Sequence, residues 1–81
     1  MNGKERRKDI PAGSIWRHYK GNCYCVIDLA LHSEPLEPLV IYRDVDCPEK
    51  VWARPLSMWQ ETVSVGGVRR PRFERESDRF S

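Results

Sequence analysis

No apolar run in this 81-residue chain approaches the roughly eighteen residues that a membrane-spanning helix needs. Met1 to Ile10 lacks the apolar core of a secretory signal, so export is not expected. Cysteine occurs only three times, an odd number that does not suit a disulfide framework. Free thiols without an export signal point to a reducing cytoplasm. Internal repeats are absent as well. Length is short enough for a single domain, and a domain of this size buries only about 60% of its unfolded surface. A deep catalytic cleft between two lobes is therefore excluded. A shallow pocket or a binding face is what the size allows.

The net charge of +2 conceals a partition. Residues 1–9 hold four basic and two acidic side chains, and residues 66–81 hold five Arg against three acids. The middle, 10–65, has five basic and seven acidic residues. The ends are basic and the body is mildly acidic. A nucleic-acid-binding domain carries its basic patch on a folded face. Here the positive charge sits at the ends, as solvated runs usually do. The reading is a disordered basic tail over 1–10, a β domain over 11–73 and a disordered Arg-rich tail over 74–81.

Pro11-Ala12-Gly13 punctuates the start of the domain. The aromatic and β-branched run Ser14 to Tyr19 predicts a strand, with Ile15, Arg17 and Tyr19 on one face and Trp16 and His18 on the other. Lys20-Gly21-Asn22 predicts a tight hairpin into a second strand, Cys23 to Leu31. There Cys23, Cys25 and Ile27 share one face, and Tyr24, Val26 and Asp28 share the other. Pro35 and Pro38 make 32–38 a loop, because each lacks an N–H and disfavours helix before it. Leu39 to Tyr42 is the clearest strand, and Val51 to Arg54 and Glu61 to Val65 are shorter ones. Pro55 to Trp59 predicts one short helical or 3₁₀ turn. Gly66-Gly67 ends the last strand, and the rest reads as tail, with Phe73 as a docking candidate. The result is a mainly β fold: a small five-stranded, SH3-like barrel, with an open antiparallel sheet as the competitor.

Several constellations could carry chemistry. Cys23, Cys25, Cys47, His18 and His32 offer zinc-ligand types, but a C-x-C inside a strand and a solitary third Cys do not match structural zinc spacing. Small buried core residues are the simpler reading of Cys23 and Cys25. A Cys25 thiolate activated by His18 or His32 has no supporting motif. His32 and Glu34 share a side of an extended segment, whereas His32 and Ser33 do not. Against a catalytic role for that pair stands a polar loop whose side chains bond local backbone. Trp16, Tyr19, Tyr24, Tyr42, Trp52 and Trp59 exceed what so small a core needs. Tyr42 and Trp52 are assigned to the core, and Trp16 and Trp59 are left open.

Gly13-x-x-Trp16-Arg17-His18-Tyr19-Lys20-Gly21-x-x-Tyr24-x-Val26 resembles the opening of the small bacterial domains of unknown function numbered 1653 (DUF1653). The similarity continues through Ala30-x-His32-Ser33-Glu34-x-x-Glu37-x-Leu39-Val40-Ile41-Tyr42 and Trp52-Ala53-Arg54-Pro55-x-x-Met58-Trp59-x-Glu61-x-Val63. Gly67 and Pro71-Arg72-Phe73 extend it, so that it covers about residues 13–73. The resemblance implies a compact SH3-like β fold and no established activity. It singles out His18, Lys20, His32, Ser33, Glu34, Glu37, Tyr42, Trp52 and Arg54 as ligand-binding candidates. The chain departs from the family pattern at Pro35, Pro38, Trp59 and the Cys47–Lys50 loop.

The expectation is a non-catalytic recognition module for a small polar ligand, a peptide or a modified nucleotide. Arg54 would hold an anionic group, Tyr42 and Trp52 would be stacking walls, and Glu34 and Glu37 would orient His32 or Arg54. No catalytic residue, cofactor or metal is assigned. The domain is expected to be monomeric or weakly self-associating, and to avoid membranes. Three rivals stand beside this reading. One is a small enzyme with His32 as base and Glu34 as orienter. Another is a nucleic-acid accessory protein working through its basic tails. The third is purely structural, with Glu37–Arg54 and His32–Glu34 as buried pairs.

Overall fold

A computed structural model of the chain describes residues 10–34 and 36–77. Seven strands and one short helix follow in order: β1 (Ile15–His18), β2 (Cys23–Leu31), β3 (Pro38–Asp44), β4 (Val51–Pro55), α1 (Leu56–Trp59), β5 (Thr62–Val65), β6 (Val68–Pro71) and β7 (Phe73–Ser77). The main sheet is antiparallel, in the order β4-β3-β2-β1-β7, and β5 and β6 form a separate hairpin. The mainly β fold and the short turn after Pro55 are as the sequence predicts. Two strands were not foreseen, however, and among the described residues the main sheet stays open, with β4 and β7 as its edges. No helix among the described residues is long and apolar enough to cross a membrane.

The hairpin expected from Lys20-Gly21-Asn22 joins β1 to β2, with Trp16 opposite Tyr24 and Arg17 opposite Cys23. Strict alternation fails further along β2. A bulge at Ile27 shifts the register between Val26 and Asp28. Alternation alone would have put the Asp28 carboxylate in the core beside Val26. The extra residue turns Leu29 inward instead, where it is buried, and leaves Asp28 exposed with its Oδ1 accepting the Leu29 N–H at 2.8 Å. Keeping an ion out of an apolar interior is worth several kcal/mol, about the size of effect that makes a bulge persist.

Both proposed tail boundaries fall inside the fold. Ile10, assigned to the N-terminal tail, is buried in the core at 2% exposure. Residues 74–77, assigned to the C-terminal tail, belong to β7, and the stretch from Val68 also supplies β6. Gly66 and Gly67 do not merely stop a strand. Both have positive φ (58° and 82°), the geometry of a two-residue hairpin turn between Val65 and Val68. β7 then crosses back to pair with β1, where His18 lies opposite Phe73. The remaining tail assignments, 1–9 and 78–81, and the departure at Pro35 lie outside the described residues.

The core gathers Ile10, Val26, Leu29, Val40, Tyr42, Leu56, Trp59 and Phe73, with Trp16 and Tyr24 packed against it. Trp59 lies at its centre, edge-on to Trp16 (5.7 Å) and to Tyr42 (5.0 Å). α1 delivers that ring. Pro55 sits in the extended region before the helix, where a missing N–H matters least, and Gln60 N–H closes the turn on Leu56 O. Trp52 is the exception to the core assignment, being 47% exposed. It pairs with Tyr42, but from the edge strand β4, where no further strand covers it among the described residues.

Candidate functional site

The core face of the sheet opens at one end into a concavity of about 330 Å³, lined by His18, Tyr19, Lys20, Asn22, Tyr24, Tyr42, Arg54, Arg72 and Phe73. Its parts come from every strand of the main sheet. His18 closes β1, and the turn after it supplies Tyr19, Lys20 and Asn22. That turn is held by His18 N–H to Asn22 O and by Gly21 N–H to His18 O, both 2.7 Å. Tyr24, Tyr42 and Arg54 stand on β2, β3 and β4, and Phe73 opens β7. Tyr19 N–H donates to Arg72 O at 2.8 Å, which ties the turn to the segment entering β7.

The walls are aromatic. His18 lies 4.5 Å from the Tyr19 ring and meets Phe73 edge-on at 4.9 Å. Tyr24 is perpendicular to Tyr42 at 5.2 Å. The polar groups are cationic. Arg54 donates through Nε to Tyr42 Oη at 3.2 Å and carries its guanidinium 5.5 Å above the Phe73 ring. Lys20 Nζ lies 5.8 Å from the Tyr19 ring centre. Arg72 donates through Nη2 to Glu61 at 2.8 Å, while its Nε is buried without a protein partner. Among the described residues no carboxylate lines the concavity, and none pairs with Lys20 or Arg54.

His18 reports this environment. Burial pushes its pKa below the ordinary 6.5, and Arg54, Arg72 and Lys20 push it the same way. The ring is therefore neutral near pH 7. Its Nδ1 accepts the Lys20 backbone N–H at 3.2 Å, so the proton sits on Nε2. In this form the imidazole is a hydrogen-bond donor within a positive field.

Of the residues singled out from the sequence, His18, Lys20, Tyr42 and Arg54 converge here. His32, Ser33, Glu34, Glu37 and Trp52 do not line the concavity. His32, Ser33 and Glu34 are exposed in the β2–β3 loop, which closes through His32 N–H to Glu37 O at 2.9 Å. Glu34 meets His32 through its backbone, donating N–H to Nδ1 at 2.9 Å, and its carboxylate makes no bond to the ring. No Glu37–Arg54 ion pair forms among the described residues. Cys23 and Cys25 alternate with Tyr24 and so lie on the sheet face opposite His18. Among the described residues no cluster of three or more His, Cys, Asp or Glu is placed to hold a metal.

Sequence reasoning missed Tyr19, Asn22, Tyr24, Arg72 and Phe73. Alternation faced Tyr19 away from His18, but β1 ends at His18 and the turn swings Tyr19 back beside it. Arg72 sits in an Arg-rich stretch that offers no strand signal of its own. The usable signal was Phe73, a large apolar residue among arginines, which marks a segment that must return to the core.

The family model described as "Protein of unknown function (DUF1653)" matches residues 14–75. The chain belongs to the DUF1653 family. All the residues lining the concavity lie inside that match. The DUF1653 fold is also seen in the crystal structure of a DUF1653 protein from Bordetella bronchiseptica, 32% identical to this chain. The two superpose with a TM-score of 0.74, over 91% of this chain and 95% of that one. No curated protein matches the chain.

Proposed function

We propose that this DUF1653 domain is a non-catalytic recognition module that binds a small ligand through an anionic group. One observation carries the reading. Lys20, Arg54 and Arg72 converge on aromatic walls around a neutral His18, in a concavity that no carboxylate among the described residues lines. Glu61 offsets the charge of Arg72 alone; the remaining cations repel one another, and an anion relieves that repulsion. A volume of about 330 Å³ falls within the range of small-molecule sites. Binding rather than catalysis is favoured because His18 has no carboxylate orienting it, its Nδ1 being taken by backbone.

The nucleic-acid reading gains little support. Arg69, Arg70 and Arg72 are engaged by Thr62, Glu74 and Glu61. We place the domain in a reducing bacterial cytoplasm, on its three free cysteines Cys23, Cys25 and Cys47, as a monomer or weak oligomer.

The test is a thermal-shift titration with small anions, comparing the unaltered chain with Arg54→Ala. At a hundredfold excess over Kd a ligand adds about 2.7 kcal/mol. For a domain of this size that raises Tm by roughly ten degrees or more. The shift should vanish in Arg54→Ala while its circular dichroism stays that of a folded β protein. If phosphate, phenyl phosphate and benzoate all leave Tm unmoved, the reading fails.

A further inference from the structure

We infer that the ligand is a phosphomonoester dianion whose molecule also carries an aromatic or heteroaromatic ring. This rests on the recognition reading above and specifies its ligand.

The charge count selects the dianion. Lys20, Arg54 and Arg72 bring three positive charges to the concavity, and Glu61, paired with Arg72, offsets one of them. Two remain, with His18 neutral. A phosphate monoester carries −1.5 to −2 near pH 7, whereas a carboxylate carries only −1. The donors are also of the right kind. Arg54 spends Nε on Tyr42 Oη and leaves both Nη groups without a partner among the described residues, a fork that matches two oxygens of one phosphate. Lys20, exposed on the β1–β2 turn, adds a mobile point charge. His18 Nε2–H adds a neutral donor to a third oxygen.

The walls select the ring. Phosphate alone would leave most of the 330 Å³ empty. Tyr19, Tyr24, Tyr42 and Phe73 surround the remainder, and the first three carry hydroxyls that suit a polar heterocycle. Stacking a base on an aromatic side chain tightens binding about fivefold to a hundredfold. The groups that such a ligand needs are thus present on separate strands of one sheet: cations at the turn, at β4 and before β7, and rings between them.

The experiment is isothermal titration calorimetry of the whole chain at neutral pH with phenyl phosphate, benzoate and inorganic phosphate. The His18 ring resonances are followed by NMR in the same samples. Phenyl phosphate should bind about tenfold or more tightly than either of the others. It should also raise the His18 pKa, because a bound dianion favours the imidazolium. Lys20→Ala, on an exposed turn, should weaken phenyl phosphate binding severalfold without unfolding the chain.

If benzoate binds as tightly as phenyl phosphate, the dianion assignment is overturned and the recognition reading survives. Equal affinity for inorganic phosphate overturns the ring. If no anion binds or perturbs His18, both readings fall together. Adenosine 5′-monophosphate and O-phosphotyrosine, two carriers of such a group, are then compared. Binding of either at or above the phenyl phosphate level supports the class and names its source. Failure of both to bind overturns it.

Discussion

Phe73 and Trp59 stack with ring centroids 3.8 Å apart and planes within 5° of parallel. The pair joins the start of β7 to the end of α1, two pieces of chain that share no strand ladder. On its other side the Phe73 ring lines the concavity and meets both His18 and the Arg54 guanidinium. One residue therefore anchors the core and lines the site.

Removing that ring should unfold the domain. Truncation of a buried Phe costs about 3–5 kcal/mol, comparable with the whole stability of so small a domain. Phe73→Ala is expected to lose its cooperative thermal transition, and Phe73→Leu to keep one at lower Tm. An unchanged denaturation midpoint in Phe73→Ala would show that β7 is not part of the folding unit.

His18 makes stability pH-dependent, with a definite sign. Its folded pKa lies below 6.5, chiefly through burial and then through Arg54, Arg72 and Lys20. The unfolded chain therefore binds the proton more readily than the folded one. The contribution of His18 is fully present above about pH 6.5 and is lost as pH falls from there through the folded pKa. Urea midpoints should drop more steeply between about pH 7 and pH 5 in the unaltered chain than in His18→Gln. An NMR titration of His18 with its midpoint at or above 6.5 would contradict the described environment.

Leu36 has a positive φ of 63° and is 67% exposed. A side chain in that region costs about 1–2 kcal/mol, and the greater unfolded-state freedom of glycine takes back about 0.4–1. Leu36→Gly should then gain about half a kcal/mol and raise Tm by about 2–4 °C. Leu36→Ala keeps the strain and should gain nothing. If the two variants stabilise equally, relief of the backbone is not the cause.

Glu61, exposed, and Arg72, half-buried, form a pair at the base of the β5–β6 hairpin, reinforced by Arg72 N–H to Glu61 O at 2.8 Å. Pairs of this kind contribute about 0–1 kcal/mol. Glu61→Gln should barely move Tm, yet it should tighten binding of small anions, since Arg72 loses its counter-charge. Weaker anion binding in this variant would indicate that Glu61 holds Arg72 in place for the ligand.

Much of the frame was legible along the chain. Pro, Gly and the β-branched runs located β1 to β4, the β1–β2 turn and the helical turn after Pro55. His18, Lys20, Tyr42 and Arg54 could be named as a set before their convergence was visible. Harder to read was whatever depends on a partner remote in sequence. Trp52 and Trp59 have the same residue type, yet Trp52 stays half-exposed on an edge strand and Trp59 fills the core. Only the neighbours of β4 and α1 separate them. The Ile27 bulge is equally silent, because alternation is a local rule and the need to expel Asp28 is a property of the packed sheet.

By itself, the sequence determined a small β domain, because turn chemistry and strand propensity act over a few residues, and its motifs carried the resemblance to the DUF1653 family that the family match bears out. Tertiary structure alone decided where its concavity lies. β7 returns to pair with β1, opposite the hairpin that the sequence already implied. That pairing takes Arg72 and Phe73 out of an apparent tail and sets them beside His18 and Arg54. The physical reason is burial. Phe73 cannot stay in water at little cost, and the place that accepts it, against Trp59, sets its ring under the Arg54 guanidinium in the wall of the concavity.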